Sequence, residues 1–143
     1  LADGCQAAAT RAAFFEQADV LSLHLRLAPA TRAIVTAQDL ARMKPSALFV
    51  NTSRAELVET GALEAALRQG RPGGAALDVF ASEPLAPDNA LLRMPTVLAT
   101  PHLGYVERDS YELYFEAAFK NIVNFAAGTP SGILNPEALA KRA

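Results

Sequence analysis

The chain has 143 residues, a hydrophobic content of 51% and a formal net charge of −2. This length suits one domain with a hydrophobic core and is too short to favour two. Lysine and arginine are scattered along the sequence, which argues against nucleic acid or an anionic membrane as a partner. The single cysteine, Cys5, excludes an intrachain disulfide framework and suits a cytoplasmic location. The sequence shows neither a signal peptide nor an apolar run of membrane length.

Strands and helices alternate along the sequence. Strands are predicted where short apolar runs end in polar residues, at 19–24, 47–50, 73–80 and 96–100. The run at 47–50 is typical of a buried strand. Helices, the first of them with uncertain ends, are predicted at 1–17, 36–43, 61–69 and 107–127. Thr36 and Thr60 are expected to act as N-caps, and Gly70 and Gly128 to end helices.

This alternation predicts an α/β fold with parallel strands and crossover helices. Polar residues close each predicted strand: His24, Asn51 to Arg54, Asp78, and Thr100 to His102. The carboxyl ends of parallel strands share one edge of the sheet, where ligands bind in open α/β folds. The sequence therefore predicts a ligand site at this edge.

Three side chains at this edge suggest chemistry on a carboxylate. The planar guanidinium of Arg54 can grip a carboxylate with two parallel donors. His102 is a candidate general acid/base, and a carboxylate from Glu83 would hold its tautomer and favour its imidazolium form. A solvated arginine or a structural histidine is the ordinary alternative for either residue alone. Their occurrence together at strand ends favours catalysis.

Six segments of the chain resemble the D-isomer-specific 2-hydroxyacid dehydrogenases, including phosphoglycerate dehydrogenase-like members, in order and spacing. They are Ser22-Leu23-His24-Leu25, Leu40 to Pro45, Val50-Asn51-Thr52-Ser53-Arg54, Ala76-Leu77-Asp78-Val79-Phe80, Ser82-Glu83-Pro84 and Thr100-Pro101-His102. They cover most of the chain. The resemblance implies hydride transfer between a nicotinamide cofactor and a D-2-hydroxy acid or 2-keto acid.

The resemblance also implies residue roles. Arg54 would bind the substrate carboxylate and carbonyl, His102 would be the acid/base, and Glu83 would pair with His102. Asp78 would contact the nicotinamide carboxamide. The residues expected to bind the cofactor are His24, Leu25, Thr31, Thr52, Ser53, Arg54, Asp78, His102 and Gly104. The cofactor is expected to be NAD, with NADP not excluded, and no metal is expected.

Some positions depart from the family pattern. Ala55 stands where glycine is usual, and Arg26 where proline is common. The segment Gly104-Tyr105-Val106-Glu107 replaces the usual small residues and threonine after the histidine. The first change is expected to leave Arg54 in place. The other two are expected to affect substrate choice and loop shape more than the chemistry.

The sequence contains no Gly-x-Gly-x-x-Gly turn for a dinucleotide pyrophosphate. We therefore expect a partial Rossmann-type doubly wound sheet that lacks its first strands and glycine-rich turn. Residues 1–128 would form part of the dinucleotide-binding domain, and residues 129–143 a tail returning to a substrate domain. These residues alone are expected to be inactive and to bind dinucleotide very weakly.

Two functions remain open from the sequence. One is a segment of a dehydrogenase, expected to act as a cytoplasmic homodimer on a small 2-hydroxy or 2-keto acid. The other is a non-catalytic α/β interaction module derived from this family. Retention of Arg54, Glu83 and His102 together favours the enzyme. The intact gene would discriminate between the two. If its upstream codons encode the glycine-rich turn, the hypothesis of a non-catalytic module loses its main support.

Overall fold

The computed structural model describes residues 3–138 and divides the chain into two compact units, Leu1–Gly104 and Tyr105–Ala143. Residues 1 and 2 of the first predicted helix and residues 139–143 of the predicted tail lie outside the described residues. The first unit contains a sheet of four parallel strands: β1 (Val20–Leu23), β2 (Leu48–Asn51), β3 (Gly74–Leu77) and β4 (Val97–Ala99). Their spatial order follows the chain, β1-β2-β3-β4. The predicted α/β class is confirmed.

Helices of the first unit precede or connect the strands. They are α1 (Arg11–Gln17), α2 (Ala37–Arg42), α3 (Ala62–Arg68) and the 3₁₀ turns Ala55–Leu57 and Ala90–Arg93. The first helix is shorter than the predicted 1–17 because Thr10 caps it and accepts a hydrogen bond from the Ala13 amide. Strands β2 and β3 are therefore each reached through an α-helix, while β4 is reached through a 3₁₀ turn.

The two predicted threonine caps have different outcomes. Thr36 caps α2 as predicted, in a capping box that Asp39 completes. The prediction for Thr60 is wrong, because Gly61 occupies the N-cap of α3 with a left-handed φ of 76° and no side-chain bond. Glycine adopts this backbone without a steric penalty. The first residue of α3 is consequently Ala62.

The hydrophobic core lies on one face of the sheet. Leu21, Leu23, Phe49, Ala75 and Leu77 are buried together with Met43, the C-cap of α2, and with one residue from each of the three helices: Phe15, Leu40 and Leu67. On the other face Val20 and Leu98 are 61% and 66% exposed, and Leu48 is exposed as well. The strand at β2 was predicted to be buried, but the structure buries only one of its faces. The described helices of the first unit add their apolar residues to the single core cluster.

The second unit contains the long helix α4 (Arg108–Ala126) and the 3₁₀ turn Pro136–Ala138. Glu107 is the N-cap of α4, and its side chain accepts hydrogen bonds from the amides of Asp109 and Ser110. Gly128 follows the helix with a φ of 75°, so the predicted stop is confirmed. In the part of the chain that the structure describes, no helix combines the length and apolarity of a membrane span.

Candidate active site

The register of the sheet aligns the residues at the carboxyl ends of the strands. Leu23 pairs with Asn51, Asn51 with Leu77, and Leu77 with Ala99. The next residue of each strand is therefore part of one row at this edge: His24, Thr52, Asp78 and Thr100. The predicted shared edge of polar residues is confirmed. The candidate site has an arginine side, residues 22–27 and 51–54, and a histidine side, residues 78–84 and 100–104.

Asn51 shapes the turn of the arginine side. Its buried side chain accepts a hydrogen bond from the Ser53 amide at 3.0 Å and donates one to the Arg54 carbonyl at 2.9 Å. The first bond is an Asx turn, in which a side chain replaces a backbone acceptor. Sequence reasoning placed Asn51 at the strand end without a role. An asparagine followed by two small polar residues was the available signal.

The Arg54 side chain is exposed at this turn. Its Nη1 donates to the Ser53 carbonyl at 2.7 Å, and the backbone at Arg54 is extended. Among residues 3–138, no carboxylate forms an ion pair with Arg54. The guanidinium therefore keeps most of its five donors for an anionic ligand.

One cavity of about 350 Å³ unites several predicted residues of the arginine side. It is lined by His24, Leu25, Arg26, Leu27, Ser53 and Arg54. The Ser53 hydroxyl donates to the Leu25 carbonyl at 2.7 Å and so ties the two loops together. Thr31 is engaged within its own loop, where its hydroxyl donates to the Arg26 carbonyl and accepts from the Ala28 amide. Thr31 thus supports the loop behind this cavity.

Glu83 and His102 form a pair on the histidine side. Glu83 Oε2 lies 2.7 Å from His102 Nδ1, and Glu83 Oε1 accepts from the Phe80 amide at 2.8 Å. The hydrogen bond from His102, followed by that from Phe80, lowers the pKa of Glu83. Glu83 therefore remains an ionised acceptor, so Nδ1 is the donor in this pair. The other ring nitrogen, Nε2, is left for a ligand.

Asp78 is buried behind His102 and holds the loop that carries it. Its Oδ1 accepts from the Thr100 hydroxyl at 2.5 Å and from the Leu103 amide at 2.7 Å. Its Oδ2 accepts from the Gly104 amide at 2.6 Å. Burial acts to raise the pKa of Asp78, but the bonds from Thr100, Leu103 and Gly104 outweigh it and lower the pKa. Asp78 is therefore a buried carboxylate stabilised by three donors.

A second cavity, of about 620 Å³, adjoins the Glu83–His102 pair. It is lined by Phe80, Glu83, Pro84, Leu85, Leu92, Ala99, Thr100, Pro101 and His102. Apart from Glu83, Thr100 and His102, its wall is apolar. The structure thus groups Glu83 with His102 in one cavity, and Arg54 with His24, Leu25 and Ser53 in the other.

The NAD binding domain of the D-isomer specific 2-hydroxyacid dehydrogenases matches residues 2–104 of this chain. The chain belongs to this family. Its sequence is 39% identical over 127 residues to a glyoxylate reductase of Aeropyrum pernix, covering 88% of this chain and 38% of that protein. The predicted family membership is confirmed.

Solved structures of the family agree with this fold. A putative D-3-phosphoglycerate dehydrogenase from Ralstonia solanacearum superposes with a TM-score of 0.86 at 56% identity, over 96% of this chain and 40% of that one. A D-isomer specific 2-hydroxyacid dehydrogenase from Lactobacillus delbrueckii ssp. bulgaricus, solved in an NAD complexed form, superposes with a TM-score of 0.69 at 32% identity, over 86% and 42%. The chain spans about two fifths of the length of the relatives it matches.

Asp78 has an acceptor position that would suit the nicotinamide part of the cofactor. A carboxylate has about four lone-pair positions, and Asp78 uses three of them within the protein. The remaining position suits an amide N–H such as that of a carboxamide. Gly104 leaves space beside it, since a Cβ there would lie 2.9 Å from Asp78 Oδ2 and 3.9 Å from the Thr52 carbonyl oxygen.

Sequence reasoning missed three supporting groups on the histidine side: the Phe80 amide, the Thr100 hydroxyl and the Leu103 amide. Two of them are backbone N–H donors, which every residue except proline has, so the residue type does not reveal them. Thr100 carried a signal, because it follows a strand directly beside Asp78 in the row of strand ends. Asp78 and Gly104, predicted separately as cofactor residues, are bonded to each other.

Proposed function

We propose that these residues carry the substrate- and proton-handling groups of an NAD-dependent D-2-hydroxyacid dehydrogenase. The observation that carries the proposal is the Glu83–His102 pair, 2.7 Å apart at the carboxyl edge of a parallel sheet. Substrate sites in open α/β folds occur at this edge. The reaction interconverts a 2-keto acid and a D-2-hydroxy acid.

His102 is the proton donor for reduction in this proposal. Its Nδ1–H donates to ionised Glu83, and its Nε2–H gives a proton to the carbonyl oxygen of the 2-keto acid. Bound NADH supplies the hydride that the carbonyl carbon accepts. The products are the hydroxy acid and NAD⁺, with a neutral imidazole at His102. In oxidation, His102 takes the hydroxyl proton back through the same nitrogen.

Arg54 anchors the substrate carboxylate in this proposal. Its guanidinium is exposed at the strand edge and has no ion pair within residues 3–138. A bidentate grip would fix the position and the plane of the carboxylate. Asn51 supports this role because it bonds the backbone of Arg54 and sets the turn from which the side chain extends.

The remaining site residues are proposed to hold the cofactor. His24, Leu25 and Ser53 line the cavity of the arginine side, while Asp78 and Gly104 lie behind His102. Thr31 and Thr52 complete the set of proposed cofactor residues. We further propose residues 1–128 as part of the dinucleotide-binding domain, and residues 129–143 as a return to a substrate domain. A cytoplasmic homodimer is the proposed form of the intact enzyme, and light scattering tests the dimer.

Reduction of hydroxypyruvate tests the function, because its product, glycerate, is chiral. The intact protein should oxidise NADH in the presence of hydroxypyruvate and release D-glycerate, detected by chiral chromatography. Glyoxylate and longer 2-keto acids then define the preferred side chain. Glu64→Gln, on the surface of α3, serves as a control for Glu83→Gln. A protein that binds NADH but oxidises it with none of the 2-keto acids would contradict the proposal.

A further inference from the structure

His102 has a backbone conformation that residues other than glycine rarely adopt. Its φ is 56°, in the left-handed region that only a few per cent of non-glycine residues occupy, histidine more often than most of them. Such conformations persist when the surrounding structure holds them in place. His102 also donates its own amide to the Thr100 carbonyl at 3.0 Å, which closes a tight turn around Pro101.

The contacts that hold this backbone converge on Asp78. The Thr100 hydroxyl lies two residues before His102, and the Leu103 and Gly104 amides lie one and two residues after it. One carboxylate therefore bonds the chain on both sides of the strained residue. A carboxylate suits this position because both of its oxygens accept hydrogen bonds. In an asparagine, one of these oxygens would be an NH₂ group, which is itself a donor and would face the donors of the loop.

A second acid from the same loop holds the imidazole ring. Glu83 bonds His102 Nδ1 through one oxygen and the Phe80 amide through the other. Asp78 follows β3 directly, and Glu83 lies five residues further along the chain. The two acids that follow β3 thus hold His102 together: Asp78 holds its backbone and Glu83 holds its ring.

We propose that Asp78 is a positioning residue for proton transfer, whose carboxylate clamps Thr100, Leu103 and Gly104 so that the His102 ring meets both Glu83 and the substrate. This inference rests on the proposed function and adds to it. The resemblance to the family implies a nicotinamide contact for Asp78. The clamp uses three other acceptor positions, so it operates without a cofactor. The two roles are separable by experiment.

Substitutions at Thr100 test the clamp by kinetics in the intact protein. Thr100→Val removes the hydroxyl and keeps the shape, whereas Thr100→Ser keeps the hydroxyl. Misplacement of a catalytic group by about 1 Å costs on the order of 100-fold, so Thr100→Val should lower kcat by roughly 10- to 100-fold. The KM for NADH should stay within about twofold, and Thr100→Ser should restore kcat. Full kcat in Thr100→Val, or equal loss in both variants, would overturn the clamp.

Nuclear magnetic resonance of the cofactor-free intact protein gives a test that needs no activity. With ¹³C-labelled histidine, the His102 ring signal is the one that disappears in His102→Gln. Asp78→Asn and Thr100→Val should shift or broaden that signal, while the His24 signal stays in place as a control for folding. An unchanged His102 signal in both variants would mean that Asp78 serves the cofactor alone. A protein with this response that reduces none of the 2-keto acids would refute the proposed function and leave the clamp intact.

Discussion

The arginine side and the histidine side of the candidate site differ in how tightly their central side chains are held. His102 is fixed at its ring by Glu83 and at both backbone flanks by Asp78. Arg54 has a fixed backbone, through Asn51, but an exposed side chain that donates to the neighbouring carbonyl of Ser53. The protein therefore builds one rigid group and one group free to reach its ligand.

This difference matches the two tasks proposed for these residues. Proton transfer depends steeply on the position and alignment of the donor, so a fixed imidazole is an advantage. Binding of a carboxylate depends on charge and on a two-pronged geometry that the guanidinium carries within itself.

Loss of the His102 ring should have the largest effect. In the intact protein, His102→Gln should lower turnover by about 10² to 10⁴-fold, the usual contribution of general acid/base catalysis. NADH binding, measured by fluorescence, should change far less than turnover, because His102 is only one of nine residues proposed to contact the cofactor. Nearly full turnover of this variant at all pH values would rule out His102 as the proton donor.

Changes at Arg54 should have the next largest effect and should depend on geometry as well as charge. Charged hydrogen bonds contribute about 1.5 to 3 kcal/mol each. The glutamine amide of Arg54→Gln can still donate one bond to the carboxylate, so the loss of the other should lower kcat/KM for the 2-keto acid by about 10- to 100-fold. Arg54→Lys should rescue little, because lysine lacks the fork. Arg68→Gln, on the surface of α3, is the control. Near wild-type kinetics in Arg54→Lys would show that a point charge is sufficient.

Neutralising Glu83 should change the pH dependence of the reaction. The bonds from His102 and Phe80 lower the pKa of Glu83, so it is ionised throughout the neutral range and favours the imidazolium. In Glu83→Gln the negative charge beside the imidazole is lost. The profile of keto-acid reduction should therefore move toward lower pH. A profile that coincides with that of Glu64→Gln would contradict the pairing.

Asp39 provides a comparison outside the site. It pairs with Arg11 and caps α2, and the Arg11 hydrogen bond lowers its pKa to about 2. Since the folded-state pKa is depressed, the stabilisation is present above pH 3.8 and is lost as pH falls through about 2. Asp39→Asn should cost about 1–2 kcal/mol in urea unfolding at neutral pH, after allowance for the half-exposed arginine. Activity of the folded variant should be unaffected; equal stability of both proteins would refute the ion pair's contribution.

Residue types and their order were sufficient to predict the sheet class, the shared edge and the placement of Arg54 and His102 on it. Each of these follows from apolar runs that end in polar residues. The Asp78 clamp was not predictable, because its donors lie 22 to 26 residues further along the chain and two are backbone amides. The cap at Gly61 depends on a backbone angle, and the single-sided burial of β2 depends on which elements pack against the sheet. Neither can be read from the spacing of apolar residues in the sequence.

The open face of the sheet has a practical consequence for work with these residues. Val20, Leu48 and Leu98 present exposed aliphatic surface on a sheet of four paired strands. Fluorescent dyes such as ANS bind exposed apolar surface and commonly report molten-globule states. The folded segment should therefore brighten such a dye while retaining cooperative structure. Dye fluorescence alone would mislabel a native preparation as denatured, whereas amide hydrogen exchange in β2 and β3 would identify it correctly.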